Sequence, residues 1–318
     1  VGRLVERARM MAGLAGDALA DRGVALGDGI HRTIVREPLG VVVAIAAWNY
    51  PLLIAVNVVV PAVLAGNSVL LKHASQTAGV GLWFAEAFRR AGAPEGLVQA
   101  VTVRGRDARQ LVQHPEVDGV FFTGSVPAGR QVYVDVASRA HGFIDAGLEL
   151  GGKDPAYVRA DMPLGVVVPN LVEGAFYNAG QSCCAVERIY VARESYDEFI
   201  EAYAELARAW VVGDPLDPDT VMGPVAAADT LDLCEAQVAE AVERGGRLLV
   251  GGTRHGGPGW TFPATVVADA APGCRLMTEE SFGPGGYLSE RGLIPLGDAE
   301  REATHEAAIN GNHMTRYQ

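Results

Sequence analysis

Cys183 closes the run Asn178-Ala179-Gly180-Gln181-Ser182-Cys183 and is followed at once by Cys184. A thiol presented by a small-residue turn can attack a carbonyl, provided a base activates it or the water that later removes it. The carboxylate that could serve stands 34 residues upstream, as Glu149 in Gly147-Leu148-Glu149-Leu150-Gly151-Gly152-Lys153. Sulfur suits both halves of such a reaction, being a strong nucleophile and an acceptable leaving group. By residue type alone a free cysteine is more often a small core hydrophobe. Cys183 therefore gains weight only from the residues that accompany it. Cys184 is read as structural, because adjacent side chains cannot both face one carbonyl.

The elements that must position this pair follow from apolar periodicity. Leu164 to Tyr177 reads as a helix before the thiol turn, and Arg188 to Ala192 as a strand after it. Upstream, apolar strands over 41–45, 68–72, 97–101, 117–122 and 143–150 alternate with helices over 51–65, 77–91, 107–113 and 127–139. Asn49 and Pro51 are read as opening the first of these helices. Continuous apolar strands between helices imply an α/β fold with a doubly wound parallel sheet covered on both faces. Such a sheet binds ligands at the carboxyl ends of its strands. Lys72, Gly124 and Glu149 fall at or just past strand ends, on one face.

Beyond Gly151-Gly152 a second α/β half follows, and the domain boundary is placed at that pair. It is read as a strand over 156–158, the helix and thiol turn, a helix capped by Ser195 and running to Val211, a helix over 226–244, a strand over 248–250 and a glycine-rich loop over 251–259. The first 22 residues carry helical periodicity and begin in mid-helix at Val1, so the chain reads as a fragment. Residues 30–36 alternate apolar and charged side chains. That pattern suits a half-exposed edge strand, within an arm over about 24–39, able to pair with another subunit. From 285 to 318 the chain turns glycine-rich and then polar, a divergent tail to which no element is assigned.

Composition narrows the function classes. A net charge of −12 argues against nucleic acid as partner, since phosphate binding needs clustered Lys and Arg. Four cysteines without a C-x-x-C, and histidines without an H-E-x-x-H, argue against a disulfide framework and against a metal site; a reducing cytoplasm fits. The apolar stretch Val41 to Leu71 is broken by Asn49, Pro51, Asn57, Pro61 and Gly66-Asn67, so no membrane partner is expected.

Taken in order, six segments resemble motifs of the aldehyde dehydrogenase superfamily. They are Trp48-Asn49-Tyr50-Pro51, Leu71-Lys72 with Ser75, Phe122-Thr123-Gly124-Ser125, Leu148 to Lys153, Asn178 to Cys183, and Glu280-Ser281-Phe282-Gly283-Pro284. The step from Glu149 to Cys183 also resembles the family's. The resemblance implies a Rossmann-like cofactor domain over 1–150, including the arm, and a catalytic thiol domain over 151–284. It implies oxidation of a small-molecule aldehyde to a carboxylic acid with NAD or NADP. Cys183 would form a thiohemiacetal and then a thioester, and Glu149 would activate the hydrolytic water, helped by burial. The Asn49 amide and the Cys183 N–H would hold the oxyanion, one such donor contributing roughly 3 kcal/mol.

For the cofactor the resemblance implies Lys72 at the adenosine ribose, Ser125 with Gly124 at the pyrophosphate, Glu280 at the nicotinamide ribose and Phe282 at the ring, with Trp48 as pocket wall. Bland readings stand beside these: Lys72 as a solvated strand end, Ser125 as a helix N-cap, Phe282 as core. Ser75 departs from the glutamate common in NAD-preferring members, which leads us to expect NADP as well as NAD. Arg104-Gly105-Arg106 replaces a more glycine-rich loop, with charges that either favour phosphate or face solvent. Family members are longer, so the resemblance implies missing N- and C-terminal parts and a homo-oligomer if the chain were complete. Two alternatives remain: a catalytically weak or inactive fragment of such an enzyme, and a cofactor-free Cys-Glu-Lys hydrolase of amidase or nitrilase type.

Overall fold

The computed structural model describes residues 1–24, 27, 29–254 and 259–291. It divides the chain into two units, Val1–Gly151 and a second that begins at Gly152. The first unit runs α1 (Gly2–Leu19), β1 (Arg22–Val24), β2 (Arg32–Ile34), β3 (Val41–Ala46), α2 (Pro51–Leu64), β4 (Ser68–His73), α3 (Ala78–Arg90), β5 (Val98–Val101), α4 (Arg109–Val112), β6 (Gly119–Thr123), α5 (Val126–Ala137) and β7 (Asp145–Glu149).

Its main sheet has the order β5-β4-β3-β6-β7, and every pairing in it is parallel. Strand β3 is central, with Ile45 opposite Lys72 on one side and Phe122 on the other. Successive side chains of a strand face opposite sides. Val43 and Ile45 accordingly join one core with Val112, Val120 and Phe122, while Ala44 and Ala46 join another with Val56, Val59, Val69 and Leu71. Val43, Val56, Leu71 and Val120 are completely buried, each contributing about 1.5–3 kcal/mol by removal from water. Strand order reverses between β3 and β6. In doubly wound sheets that switch point is where ligands bind.

Three local expectations need correction. The residue at the N-cap of α2 is Tyr50, with no side-chain cap bond, so Asn49 does not cap that helix. The helix expected over 107–113 is a 3₁₀ turn (Gly105–Asp107) followed by the short α4. The strand expected over 30–36 is only Arg32–Ile34, and it pairs antiparallel with β1 of its own chain. Residues 25, 26 and 28 of the arm lie outside the described residues.

The second unit runs β8 (Asp154–Val158), α6 (Leu164–Phe176), a 3₁₀ segment (Tyr177–Gly180), β9 (Val186–Ala192), α7 (Tyr196–Arg208), α8 (Ala228–Glu243), β10 (Arg247–Val250), β11 (Thr265–Ala268), α9 (Arg275–Thr278) and β12 (Gly285–Arg291). Ser195 stands at the N-cap of α7 but makes no side-chain cap bond. Sheet order is β10-β11-β12-β9-β8, parallel except for the β10/β11 pair. Ile189, Val191, Val266 and Leu288 pack on one face with Phe199 and Tyr203, and Val267 and Tyr287 on the other with Val238 and Leu276.

Strand β12 corrects the reading of residues 285–291 as the start of an unassigned tail. It lies between β11 and β9, inside the sheet. The Gly285-Gly286 pair hides it from an apolar pattern, and both glycines have a steric reason. A Cβ at Gly285 would meet the Tyr287 hydroxyl at 1.9 Å, and one at Gly286 the Tyr203 hydroxyl at 2.5 Å. Residues 255–258 of the glycine-rich loop, and the tail over 292–318, lie outside the described residues.

Candidate active site

In the first unit the expected residues sit at or just beyond the carboxyl ends of four strands. Trp48 and Asn49 follow β3, Lys72 is the penultimate residue of β4, Gly124 and Ser125 follow β6, and Glu149 ends β7. Neighbouring ends are tied together, since the Gly124 N–H donates to the Glu149 carbonyl at 3.0 Å. Gly129 lets α5 approach the same edge, because a Cβ there would lie 2.3 Å from Leu150 Cδ2.

Lys72 is only 5% exposed, which removes the solvated strand-end reading. Burial pushes its ammonium down from the ordinary lysine value. No carboxylate pairs with it among the described residues. A buried cation without a counter-ion near the carboxyl end of a strand suits a ligand that brings negative charge or hydroxyl oxygens. Ser75 is exposed in the 3₁₀ turn Ser75–Thr77. Ser125 does cap α5, its Oγ accepting the Ala128 N–H at 3.4 Å. Glu149 is exposed, so the burial expected to help a base is not present. Arg104 pairs with Asp107 at 2.8 Å on the surface, in keeping with the solvent-facing reading of that loop.

One residue of this edge escaped the sequence reading. His73, 3% exposed, places Nε2 3.0 Å from the Pro51 carbonyl and Nδ1 2.7 Å from Thr77 Oγ1. A carbonyl can only accept, so Nε2 carries the proton and Nδ1 accepts the threonine hydroxyl. Burial first, and the Lys72 charge beside it, hold the imidazole below its usual value, against the opposing bond to Pro51. His73 thereby ties the Lys72–Ser75 segment to the start of α2, just after Trp48-Asn49-Tyr50. Its only signal in the sequence is its place beside Lys72.

In the second unit the thiol turn is built from left-handed backbone. Asn178, Ala179 and Gly180 have φ of 54°, 56° and 69°. The turn is locked by its own motif residues: Asn178 Nδ2 donates to the Gln181 carbonyl at 3.2 Å and Gln181 Nε2 to the Asn178 carbonyl at 3.0 Å. Gln181 Oε1 also accepts the Ala226 N–H at 2.8 Å. Cys183 and Cys184 are exposed, and Cys184 Sγ lies 3.2 Å from Ser182 Oγ. Desolvation of the sulfur, followed by the neighbouring Cys184, pushes the Cys183 thiol up.

The turn carrying Glu280 and Phe282 packs on this thiol turn. A Cβ at Gly180 would lie 2.1 Å from the Gly283 carbonyl oxygen, and one at Gly283 would lie 2.4 Å from Cys234 Sγ. The two motifs therefore meet backbone to backbone. Glu280 Oε1 accepts the Gly152 N–H at 3.3 Å, and burial raises its carboxyl, with Glu187 adding to the effect. Phe282 holds a φ of 49°, an uncommon conformation for a bulky residue and one that clusters at functional turns.

Among the described residues no group of three His, Cys, Asp or Glu side chains could hold a metal ion, and no helix is long and apolar enough to cross a membrane.

Comparison with known proteins decides the family. The model of the family described as "Aldehyde dehydrogenase family" matches residues 1–287. The chain belongs to the aldehyde dehydrogenase family. It is 39% identical over 272 residues to the NADP(+) succinate-semialdehyde dehydrogenase of Mycobacterium avium, covering 85% of this chain and 56% of that protein. A similar protein of Mycobacterium ulcerans is 38% identical over 274 residues, covering 86% and 58%. The chain thus spans a little over half the length of these relatives. Among solved structures it resembles the lactaldehyde dehydrogenase from Escherichia coli, with a TM-score of 0.87 at 31% identity over 92% of this chain and 61% of that one. It also resembles 3,6-anhydro-L-galactose dehydrogenase in complex with NAP, with a TM-score of 0.83 at 35% identity over 91% and 62%. These α/β neighbours agree with the Rossmann-like architecture of the first unit.

Proposed function

We propose that this chain carries the thiol and cofactor-contacting machinery of an aldehyde dehydrogenase that oxidises an aldehyde to a carboxylic acid and accepts NADP as well as NAD. The observation that carries this reading is the packing of Gly180 on Gly283, which joins the Cys183 turn to the Glu280–Phe282 turn within one family-matched unit. A cofactor-free hydrolase has no use for that second turn.

In this reading Cys183, as thiolate, adds to the aldehyde carbon to form a thiohemiacetal. The Asn49 amide and the Cys183 N–H stabilise the oxyanion. A bound nicotinamide dinucleotide supplies the hydride acceptor that makes the thioester possible. Glu149 then takes a proton from water as that water attacks the thioester carbon, and Cys183 departs as the leaving group. Lys72 would hold the adenosine ribose, Ser125 and the Gly124 backbone would orient the pyrophosphate, Glu280 would accept hydrogen bonds from the nicotinamide-ribose hydroxyls, and Phe282 would contact the ring. The buried Lys72 ammonium fits a negatively charged dinucleotide, and the absence of a carboxylate at Ser75 leaves a 2′-phosphate unrepelled.

The semialdehyde dehydrogenases among the relatives support an aldehyde bearing a distal carboxylate as the first substrate to try. The test is a panel of succinate semialdehyde, lactaldehyde and simple aliphatic aldehydes with NADP and NAD, run beside Cys183→Ala. We expect Cys183-dependent formation of reduced cofactor with NADP at least as fast as with NAD. Strict use of NAD would sink the Ser75 argument. Cofactor binding without turnover of any aldehyde would sink the catalytic one. Hydrolysis of an amide or nitrile with no dinucleotide present would revive the hydrolase.

A further inference from the structure

Glu187 and Lys153 take no part in the chemistry above, yet they form an ion pair whose side chains are only 3% and 7% exposed. Glu187 comes from the start of β9, and Lys153 stands just ahead of β8. The Glu187 carboxylate accepts the Ser281 N–H at 2.9 Å and the Phe282 N–H at 3.2 Å, besides the Lys153 ammonium. Lys153 Nζ donates to Ser281 Oγ at 3.0 Å and lies 4.7 Å from the Tyr287 ring centroid. Ser281 Oγ donates to Gln237 Oε1 at 2.7 Å and accepts from the Tyr287 hydroxyl at 3.3 Å. The serine hydroxyl has one proton and two lone pairs, and all three are used. Ser281 and Gln237 are fully buried.

A buried ion pair is poor evidence of stabilisation, because apolar residues of the same volume often serve as well. What this one does is geometric. Two successive N–H groups converge on one carboxylate, with Phe282 at a φ of 49°. Left to itself a phenylalanine would leave that region, which is sterically disfavoured for a side chain of its bulk. The side chains on either side of Ser281 are Glu280 and Phe282, whose directions follow from this backbone.

We propose that Glu187 and Lys153 are positioning residues that hold the Glu280-Ser281-Phe282 turn in its left-handed shape and so set the geometry offered to the nicotinamide half of the cofactor. The assignment rests on the reading of Glu280 and Phe282 under the proposed function. It goes beyond that reading by naming the pair on which both depend. Such a role separates the two halves of the dinucleotide: the adenosine half is held by the first unit and does not depend on this network.

The experiment is calorimetric titration of the full chain, and of its Lys153→Met and Glu187→Gln variants, with NADP and with adenosine 2′,5′-bisphosphate, which lacks the nicotinamide half. Misplacing a contacting group by an ångström is enough to lose tenfold or more. We expect the variants to bind NADP about tenfold or more weakly while binding the bisphosphate within about twofold of the parent. Should Glu187→Gln fail to fold, Lys153→Met carries the comparison, since methionine retains the length of the buried stem. Unchanged NADP affinity in a folded variant overturns the proposal, as does an equal loss for both ligands, which would mark a merely structural network. A parent chain that binds neither NADP nor NAD removes the cofactor reading itself, and this proposal with it. That result is distinguishable because it is seen before any variant is made.

Discussion

The Cβ position of Gly180 lies 2.1 Å from the carbonyl oxygen of Gly283, so the turn before the thiol and the turn after Phe282 are in backbone contact. Gly180 also has a φ of 69°, where a side chain is strained even in open space. Gly180→Ala must therefore move one turn off the other. We expect it to lower unfolding stability by about 1–3 kcal/mol in urea titration. NADP affinity and Cys183 alkylation should fall together, because both turns shift. A variant of parental stability would show that the two turns are not rigidly packed.

Cys183 reactivity should depend steeply on pH. Desolvation and the neighbouring Cys184 hold the thiol above the ordinary cysteine value, so the neutral thiol dominates at pH 7 and the thiolate appears as pH rises. Alkylation of the cofactor-free chain by iodoacetamide should accelerate about tenfold per pH unit, levelling off only above the usual cysteine range. Peptide mass spectrometry would locate the adduct. Cys184→Ala should bring the levelling to lower pH, since Cys184 is the second cause of the shift. A rate flat between pH 6 and 8 would mean a thiolate already formed, contrary to this geometry.

His73 links the geometry of the Lys72 segment to acid stability. Its folded-state value is depressed, so between that value and the unfolded value the unfolded chain binds the extra proton. The corresponding stability is complete above the unfolded imidazole value, about 6.5, and is lost as pH falls below it toward the folded value. Thermal unfolding between pH 7.5 and 5 should show a falling midpoint, and His73→Gln, which retains a donor for the Pro51 carbonyl, should reduce the slope. His73→Ala should lower stability by about 1–3 kcal/mol at pH 7.5, since it leaves buried polar groups without their partner.

Lys72 should show stability and binding pulling apart. Removing an ammonium that is buried without a counter-ion relieves a desolvation penalty. Lys72→Met is therefore expected to keep or raise the unfolding midpoint. Loss of one charge-assisted hydrogen bond should weaken NADP about 10- to 100-fold in calorimetry. A destabilised variant with unchanged NADP affinity would make Lys72 a structural residue.

Much of this was legible in the chain. The strands and helices of the first unit follow from apolar runs broken by Pro51, Gly66 and Pro94, because burial on both faces of a parallel sheet demands such runs. The strand ends then place Lys72, Gly124 and Glu149 on one edge. Strand β12 was not legible, because Gly285 and Gly286 serve the tyrosines packed against them and interrupt the local pattern. The exposure of Glu149 was not legible either, since a strand-end carboxylate has the same sequence signature whether covered or open.

By itself the sequence determined the alternation of strands and helices from β3 to β7, the family and the residue types available for thiol chemistry, since these depend on short-range periodicity and on motifs a few residues long. Only the tertiary structure decided which of those residues support one another. Gly180 meets Gly283, Glu187 captures the Ser281 and Phe282 amides, and His73 reaches Pro51 across the sheet edge. The physical reason is common to all three. Close approach and buried polar pairing depend on which surfaces the packed core brings together, and residues separated by 22 to 103 positions carry no local trace of that meeting.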